Sequence, residues 1–204
     1  SQSVSGTDLI VGARTGAVQL MLYSVFRIGN ATNNIRWSSV QALERDQAVA
    51  WVVPISLGDS HRGFSVVATT PAYFEHFHYG DKQALVLAEG RPFSAVFEAV
   101  LGAEVAQRLG YRIGERVVLS HGSGEIAGNE HGDKPFTVVG ILAPTGTPVD
   151  RSVHIGLGGM QAIHLDWIMG MPMPGMAVPA DRVSEHDLTP KTVTAALVGL
   201  KSRA

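Results

Sequence analysis

The feature that most constrains the fold of this 204-residue chain is the run Phe136-Thr137-Val138-Val139-Gly140-Ile141-Leu142. Its β-branched and aromatic residues suit a pleated strand. A short helix precedes it in the chain. In Glu104-Val105-Ala106-Gln107-Arg108-Leu109, the residues Val105, Ala106 and Leu109 share one face, and Gly110 fits the left-handed position that closes a helix. A turn through Ile113-Gly114-Glu115 and a strand from Arg116 to Ser120 stand between the two. The stretch from Leu85 to Leu142 therefore reads as a small helix-plus-strand module. It carries no nucleophile–base pattern, so it points to binding or mechanical coupling rather than covalent catalysis.

The flanking segments alternate helix and strand. Asp8 to Ala13 reads as a buried strand ending in a glycine turn, and Val18 to Ile28 is ambiguous between helix and extended. Ser38 and Gln41 have capping-box spacing and predict a short helix ending near Asp46. Ala48 to Ile55 is a strand closed by Gly58-Asp59, with Asp59 and Arg62 dressing a hairpin turn. Phe64 to Thr69 is its partner, and Pro71 suits the first turn of a helix. This order opens a split βαβ, ferredoxin-like layer, to which Thr192 to Leu200 has the composition to return. Further on, Pro144 to Pro148 is a turn, Val153 to Leu157 a strand, and Met160 to Ile168 a helix. Prolines 172 and 174 then break regular structure, and a loop is expected up to about Pro190. The simplest organisation is a discontinuous first domain with the middle module inserted into it.

Composition narrows the function. Hydrophobic residues make up 45% of the chain, enough for a real core, and the formal net charge is −2. No Lys/Arg cluster runs along the sequence, which argues against a nucleic-acid partner. The absence of cysteine removes disulfides, thiolate catalysis and Cys-based zinc sites. No run of 18 apolar residues appears. The N-terminus has no leader pattern and does not begin with Met, so the chain is expected to be a cut piece of something longer or a mature form.

Four phrases in order resemble a known family: Glu89-Gly90-Arg91-Pro92-Phe93, Val100-Leu101-Gly102-Ala103-Glu104-Val105-Ala106, Leu109-Gly110-Tyr111-Arg112-Ile113-Gly114-Glu115, and Phe136 to Leu142. The chain is similar to the extracytoplasmic domain of MacB/FtsX-type ABC transporter permeases. A looser likeness runs through Asp8 to Ala13, Val53-Pro54 and Phe64 to Thr69. The resemblance implies an α+β ectodomain. A porter-like split βαβ layer would take residues 1–88 and 166–204 and stop short at its C-terminal end. An inserted, mostly-β module with one short helix would take residues 89–165. It further implies a periplasmic position on a bacterial inner-membrane permease, a cytoplasmic ABC ATPase, a second permease copy, and a periplasmic protein or lipoprotein as partner. Motion driven by ATP would become substrate export or release. The permease portion of the family has no catalytic residues to carry over.

Some residues invite sharper readings. The loop His121 to Lys134 is richer in histidine than the family pattern, and His121, Glu130, His131 and Asp133 have the chemistry of zinc ligands. A periplasmic zinc module is thus the alternative function. The plainer reading of the loop is a solvated hairpin tip, because the spacing matches no standard metal motif. His76-Phe77-His78 could pair only on a strand, where i and i+2 share a face. Asp59-Ser60-His61 lacks the strand–elbow–helix context of a hydrolase. Met169, Met171, Met173 and Met176 crowd a Pro-rich loop beside Trp167. Thioethers suit an adaptable contact surface, so Trp167, Met171, Met173 and Met176 are expected to meet a partner; the plainer reading tucks them onto their own domain or leaves the loop mobile.

Overall fold

A computed structural model describes residues 7–12, 34–121, 134–165, 167–168, 171–172 and 178–201. In chain order the elements begin with strand β1 (Leu9–Val11), strand β2 (Ile35–Arg36), helix α1 (Trp37–Arg45), strand β3 (Val49–His61) and strand β4 (Phe64–Thr69). Helix α2 (Ala72–His76), β5 (His78–Tyr79), β6 (Gln83–Ala84) and β7 (Leu87–Gly90) follow. The middle holds β8 (Glu98–Leu101), α3 (Ala103–Leu109), β9 (Arg116–Val117), β10 (Ser120–His121) and β11 (Phe136–Leu142). After a 3-10 turn at Pro148–Arg151 come β12 (Ser152–Gly156), α4 (Leu157–Ile163), β13 (Trp167–Ile168) and β14 (Met171–Pro172). A second 3-10 turn, Ala180–Glu185, leads to β15 (Thr192–Val193) and β16 (Ala195–Leu200). The fold is mixed α+β, as the sequence implies.

Ten strands form one sheet in the order β1-β16-β3-β4-β12-β8-β11-β7, with β10 also on β3 and β9 also on β11. The pairs β12–β4 and β11–β8 are parallel, and the others are antiparallel. Strands from before and after residue 89 therefore share the sheet. Strand alternation explains the core. Val66, Ala68, Ala99, Leu101, Val153 and Ile155 pack on one face with Val105 of α3 and Met160 of α4. Their neighbours Val67 and Val100 lie on the other face with Tyr73 and Phe77 from the α2 segment. Along β11 the alternation slips at Gly140, where the register with β8 shifts.

The phrase Gly90-Arg91-Pro92-Phe93 has a steric and electrostatic basis. Gly90 has φ +71, and a Cβ there would lie 2.0 Å from the Val139 carbonyl oxygen. A Cβ on Gly140 would lie 2.3 Å from the Arg91 carbonyl oxygen. The two glycines let the chain leave β7 pressed against β11. Arg91 then donates to Glu98 at 3.0 Å, and the same carboxylate oxygen accepts the Ser94 and Ala95 backbone N–H groups at 2.8 Å. Hydrogen bonding from Arg91, reinforced by the two N–H groups against the cost of burial, holds the Glu98 carboxyl down at about 2. Phe93 closes the corner by packing edge-on against Phe74 at 5.4 Å.

Several local expectations change. Helix α1 starts at Trp37, and Arg36 at its N-cap makes no side-chain capping bond. The Ser38–Gln41 capping box does not form, because the β2–β15 ladder sets the helix start and the Lys191 carbonyl takes the Trp37 N–H at 2.9 Å. Strand β3 does not stop at Gly58-Asp59. It bulges there and runs on to His61, and the two-residue turn is Arg62-Gly63 with φ of 48 and 83. Asp59 is buried in the strand rather than dressing the turn. The predicted strand 116–120 is split into β9 and β10. Helix α4 begins at Leu157 and ends at Ile163, so Trp167 and Ile168 are strand, not helix. The segment Val18 to Ile28 lies outside the described residues.

Two consequences are measurable. Gly90→Ala forces backbone against the Val139 carbonyl in a left-handed conformation, and a loss of about 3 kcal/mol or more is expected in urea unfolding. Because the Glu98 carboxyl is depressed, its contribution is complete above about pH 4.5 and lost as pH falls toward about 2. The melting temperature of Glu98→Gln should therefore lie below the parent's near neutral pH, with the gap closing over that acid range.

Candidate coupling strand and sheet gap

Strand β3 is thirteen residues long and changes partner along its length. Val49 to Ile55 pair with β16, and Ser56 to His61 pair with β4 on its other side. Beyond β16, β10 takes up the vacated side, with Ser120 opposite Ser60 and His121 opposite Asp59. Between β16 and β10 the sheet has a gap. Thr194 bridges its edge by accepting the Leu57 N–H at 3.1 Å.

The gap holds a cavity of about 220 Å³ lined by Ser56, Gly58, Asp59, His164, Thr192 and Thr194 among others. The Asp59 side chain is 1% exposed and that of His164 23%. His164 caps the end of α4, and its Nδ1 lies 2.9 Å from the Met160 carbonyl. A carbonyl only accepts, so Nδ1 carries a proton. Nε2 then faces Asp59 Oδ1 at 3.4 Å, and protonation of His164 makes this contact an ion pair across the seam between α4 and β3. The hydroxyls of Ser56, Thr192 and Thr194 share the lining with apolar Leu57, Met160 and Val193.

Strand β3 is fastened at both ends. At its start, Lys201 N–H donates to the Ala48 carbonyl at 2.9 Å and Leu200 N–H to Asp8 at 2.7 Å, so Asp8 and Lys201 lie side by side there. At its far end His61 is buried. Its Nδ1 meets the Val118 carbonyl at 2.6 Å and its Nε2 meets the Tyr111 hydroxyl at 2.7 Å. The carbonyl requires a proton on Nδ1, so Nε2 accepts from Tyr111. Burial raises the Tyr111 pKa, with Arg62 opposing and Glu115 adding. Both ring nitrogens of His61 are thus engaged in packing, which leaves none for Ser60. A second histidine repeats the device. His154 is fully buried and bridges the Val100 carbonyl at 3.1 Å and the Tyr73 hydroxyl at 3.2 Å.

The zinc expectation is corrected. Among the described residues no group of three or more His, Cys, Asp or Glu could hold a metal ion. The chain has no cysteine. His121 is tied into the β10–β3 ladder, while Glu130, His131 and Asp133 lie outside the described residues. His76 and His78 fall in different elements, the first stacked on Trp51 at 4.8 Å and the second in β5 opposite Ala84. Trp167 and Met171 lie in the β13–β14 ladder, where Trp167 faces Pro172 and Met171 faces Ile168 in register. Met169, Met173 and Met176 lie outside the described residues. Reading the sequence missed the Asp59–His164 contact and both His–Tyr pairs. Their members are separated by 50 or more residues and carry no local signature.

Comparison with known proteins gives a consistent result. Residues 2–182 match the family described as MacB-like periplasmic core domain. No curated protein matches the chain. The periplasmic region of MacB from Actinobacillus actinomycetemcomitans superposes with a TM-score of 0.55 at 12% identity, over 98% of this chain and 78% of that one. The extracellular domain of the noncanonic ABC-type transporter YknZ from Gram-positive bacteria gives 0.45 at 12% identity, over 87% and 78%.

Removing the Tyr111 hydroxyl isolates the buried Nε2 of His61. Tyr111→Phe is expected to cost about 1–3 kcal/mol in urea unfolding, and an unchanged midpoint would show that the clamp contributes nothing.

Proposed function

We propose a coupling role from one premise: this chain belongs to the family of MacB-like periplasmic core domains. In this reading the domain sits in the periplasm on a bacterial inner-membrane ABC permease, present in two copies. A cytoplasmic ATPase moves the membrane helices, and the domain delivers that motion to a substrate or to a periplasmic protein or lipoprotein. Its role is mechanical rather than catalytic. Among the described residues no helix is long and apolar enough to cross a membrane.

The observation that carries the reading is β3. One strand starts beside Asp8 and Lys201 and ends at the His61 clamp, a span of roughly 40 Å at about 3.3 Å per residue. Hydrogen-bonded ladders hold both halves, and the bulge at 57–60 beside the sheet gap gives one place to bend. The porter-like layer of residues 1–88 with 166–204, and the inserted module of 89–165, remain our proposed division by chain connectivity. Trp167, Met171, Met173 and Met176 remain proposed partner contacts, supported by a β13–β14 ladder separate from the large sheet.

The absence of cysteine in this chain simplifies the test. Spin labels at Arg62→Cys and, separately, at Lys201→Cys in the full permease with its ATPase report distances between the two copies. Both distances should change between nucleotide-free and ATP-bound states. Two glycines inserted after Gly58 should abolish the change at position 62 and leave that at 201. A static label at position 62 in the unmodified domain sinks the coupling role.

A further inference from the structure

The charges are not spread evenly. The turn Arg62-Gly63 forms the tip of the β3–β4 hairpin, next to Tyr111 and Val118 through His61. Arg62 acts electrostatically on the Tyr111 hydroxyl. Arg112 follows Tyr111 directly, and Arg116 stands two residues before Val118. All three are exposed, and they hold no ion pair among the described residues. Arg151 adjoins them, its guanidinium 5.1 Å from the ring of Phe64, the residue just after the turn. It pairs with Glu104 at 2.6 Å, and Arg108 shares that carboxylate at 3.3 Å. Among the described residues, five arginines thus face Glu104 and Glu115 at one end of a chain whose overall charge is −2. The Asp150 carboxylate is turned away, into the Thr145–Gly146 turn at 2.8 Å.

We infer that this arginine tip is a docking surface for an acidic polypeptide segment, one rich in Asp and Glu side chains. Every cation here is a guanidinium, whose planar fork binds a carboxylate through two parallel hydrogen bonds; an ammonium cannot. Among the described residues three of the five hold no ion pair, so the surplus favours an anionic partner and steers its approach. The coupling reading enters only in choosing between anion sources. If Asp8 and Lys201 mark the membrane side, the tip stands roughly 40 Å from it. Surface charges are screened over about 8 Å at physiological salt, so lipid headgroups of that membrane lie out of reach. A protein segment does not.

The test uses the 204-residue chain and a fluorescein-labelled oligo-glutamate peptide, read by anisotropy. The parent should bind it, more weakly as salt rises. The triple variant Arg62→Asn, Arg112→Glu, Arg116→Glu should bind about tenfold or more weakly. Asn is chosen at position 62 because it tolerates the left-handed φ of 48 there. Glu115→Gln, which removes a competing carboxylate and keeps the fold contacts, should bind more tightly. The pair Arg45→Glu, Lys201→Glu, near the start of β3, should bind as the parent does. Absence of binding to the parent, equal loss in the Arg45/Lys201 variant, or binding of phosphatidylglycerol vesicles in place of the peptide would each overturn the inference. None of these outcomes depends on nucleotide-driven motion, so coupling and docking can fail separately.

Discussion

The antiparallel ladder of β3 is the interaction on which the rest depends. Its first half ties the two described ends of the chain, through β1 and β16, into the sheet. Its second half seeds β4, and β4 carries the parallel strand β12 and everything beyond it. Breaking the ladder at Val53–Leu197 would separate the chain ends from the β4 side of the sheet. Both sheet faces are covered, so the strands read as nearly continuous apolar runs wherever they are central. Hydrophobic burial therefore fixes the middle of the sheet, and polar contacts fix its extremities.

Those polar contacts share a logic. His61 and His154 each offer Nδ1 to a backbone carbonyl and Nε2 to a tyrosine hydroxyl. In each ring both nitrogens are hydrogen-bonded, which is how a buried imidazole avoids the cost of an unpaired polar atom. Glu98 solves the opposite problem. It stays charged by collecting an arginine and two backbone N–H groups. The Asp59–His164 contact is looser than these and borders the stretch of β3 between its β16 and β10 pairings.

How much of this could be read from residues depends on range. Phe136 to Leu142 and the helix ending at Gly110 were legible because β-branched composition and a left-handed glycine act within a few residues. The phrase from Gly90 to Phe93 was legible as a likeness, but its cause needed coordinates: Gly90 and Gly140 are required by each other's backbone. The start of α1 was misread because a tertiary partner, the Lys191 carbonyl, replaced the capping box. The arginine tip was invisible for a different reason. Positions 62, 108, 112, 116 and 151 form no run, so a scan for basic clusters finds none, and folding alone assembles them. Histidine content in the 121–134 loop suggested zinc, yet composition supplies ligand types and not their convergence.

The sheet gap has a consequence of its own. A void of about 220 Å³ has room for several water molecules. Its walls set hydroxyls, the Asn34 amide and the Asp59–His164 contact beside apolar Leu57, Met160 and Val193, so water filling it would be held at some points and loose at others. Bending β3 at that point would exchange solvent and leave interlocked side chains undisturbed. In the proposed coupling role a bend in β3 would fall in this seam, and the close-packed core on either side would move as a unit.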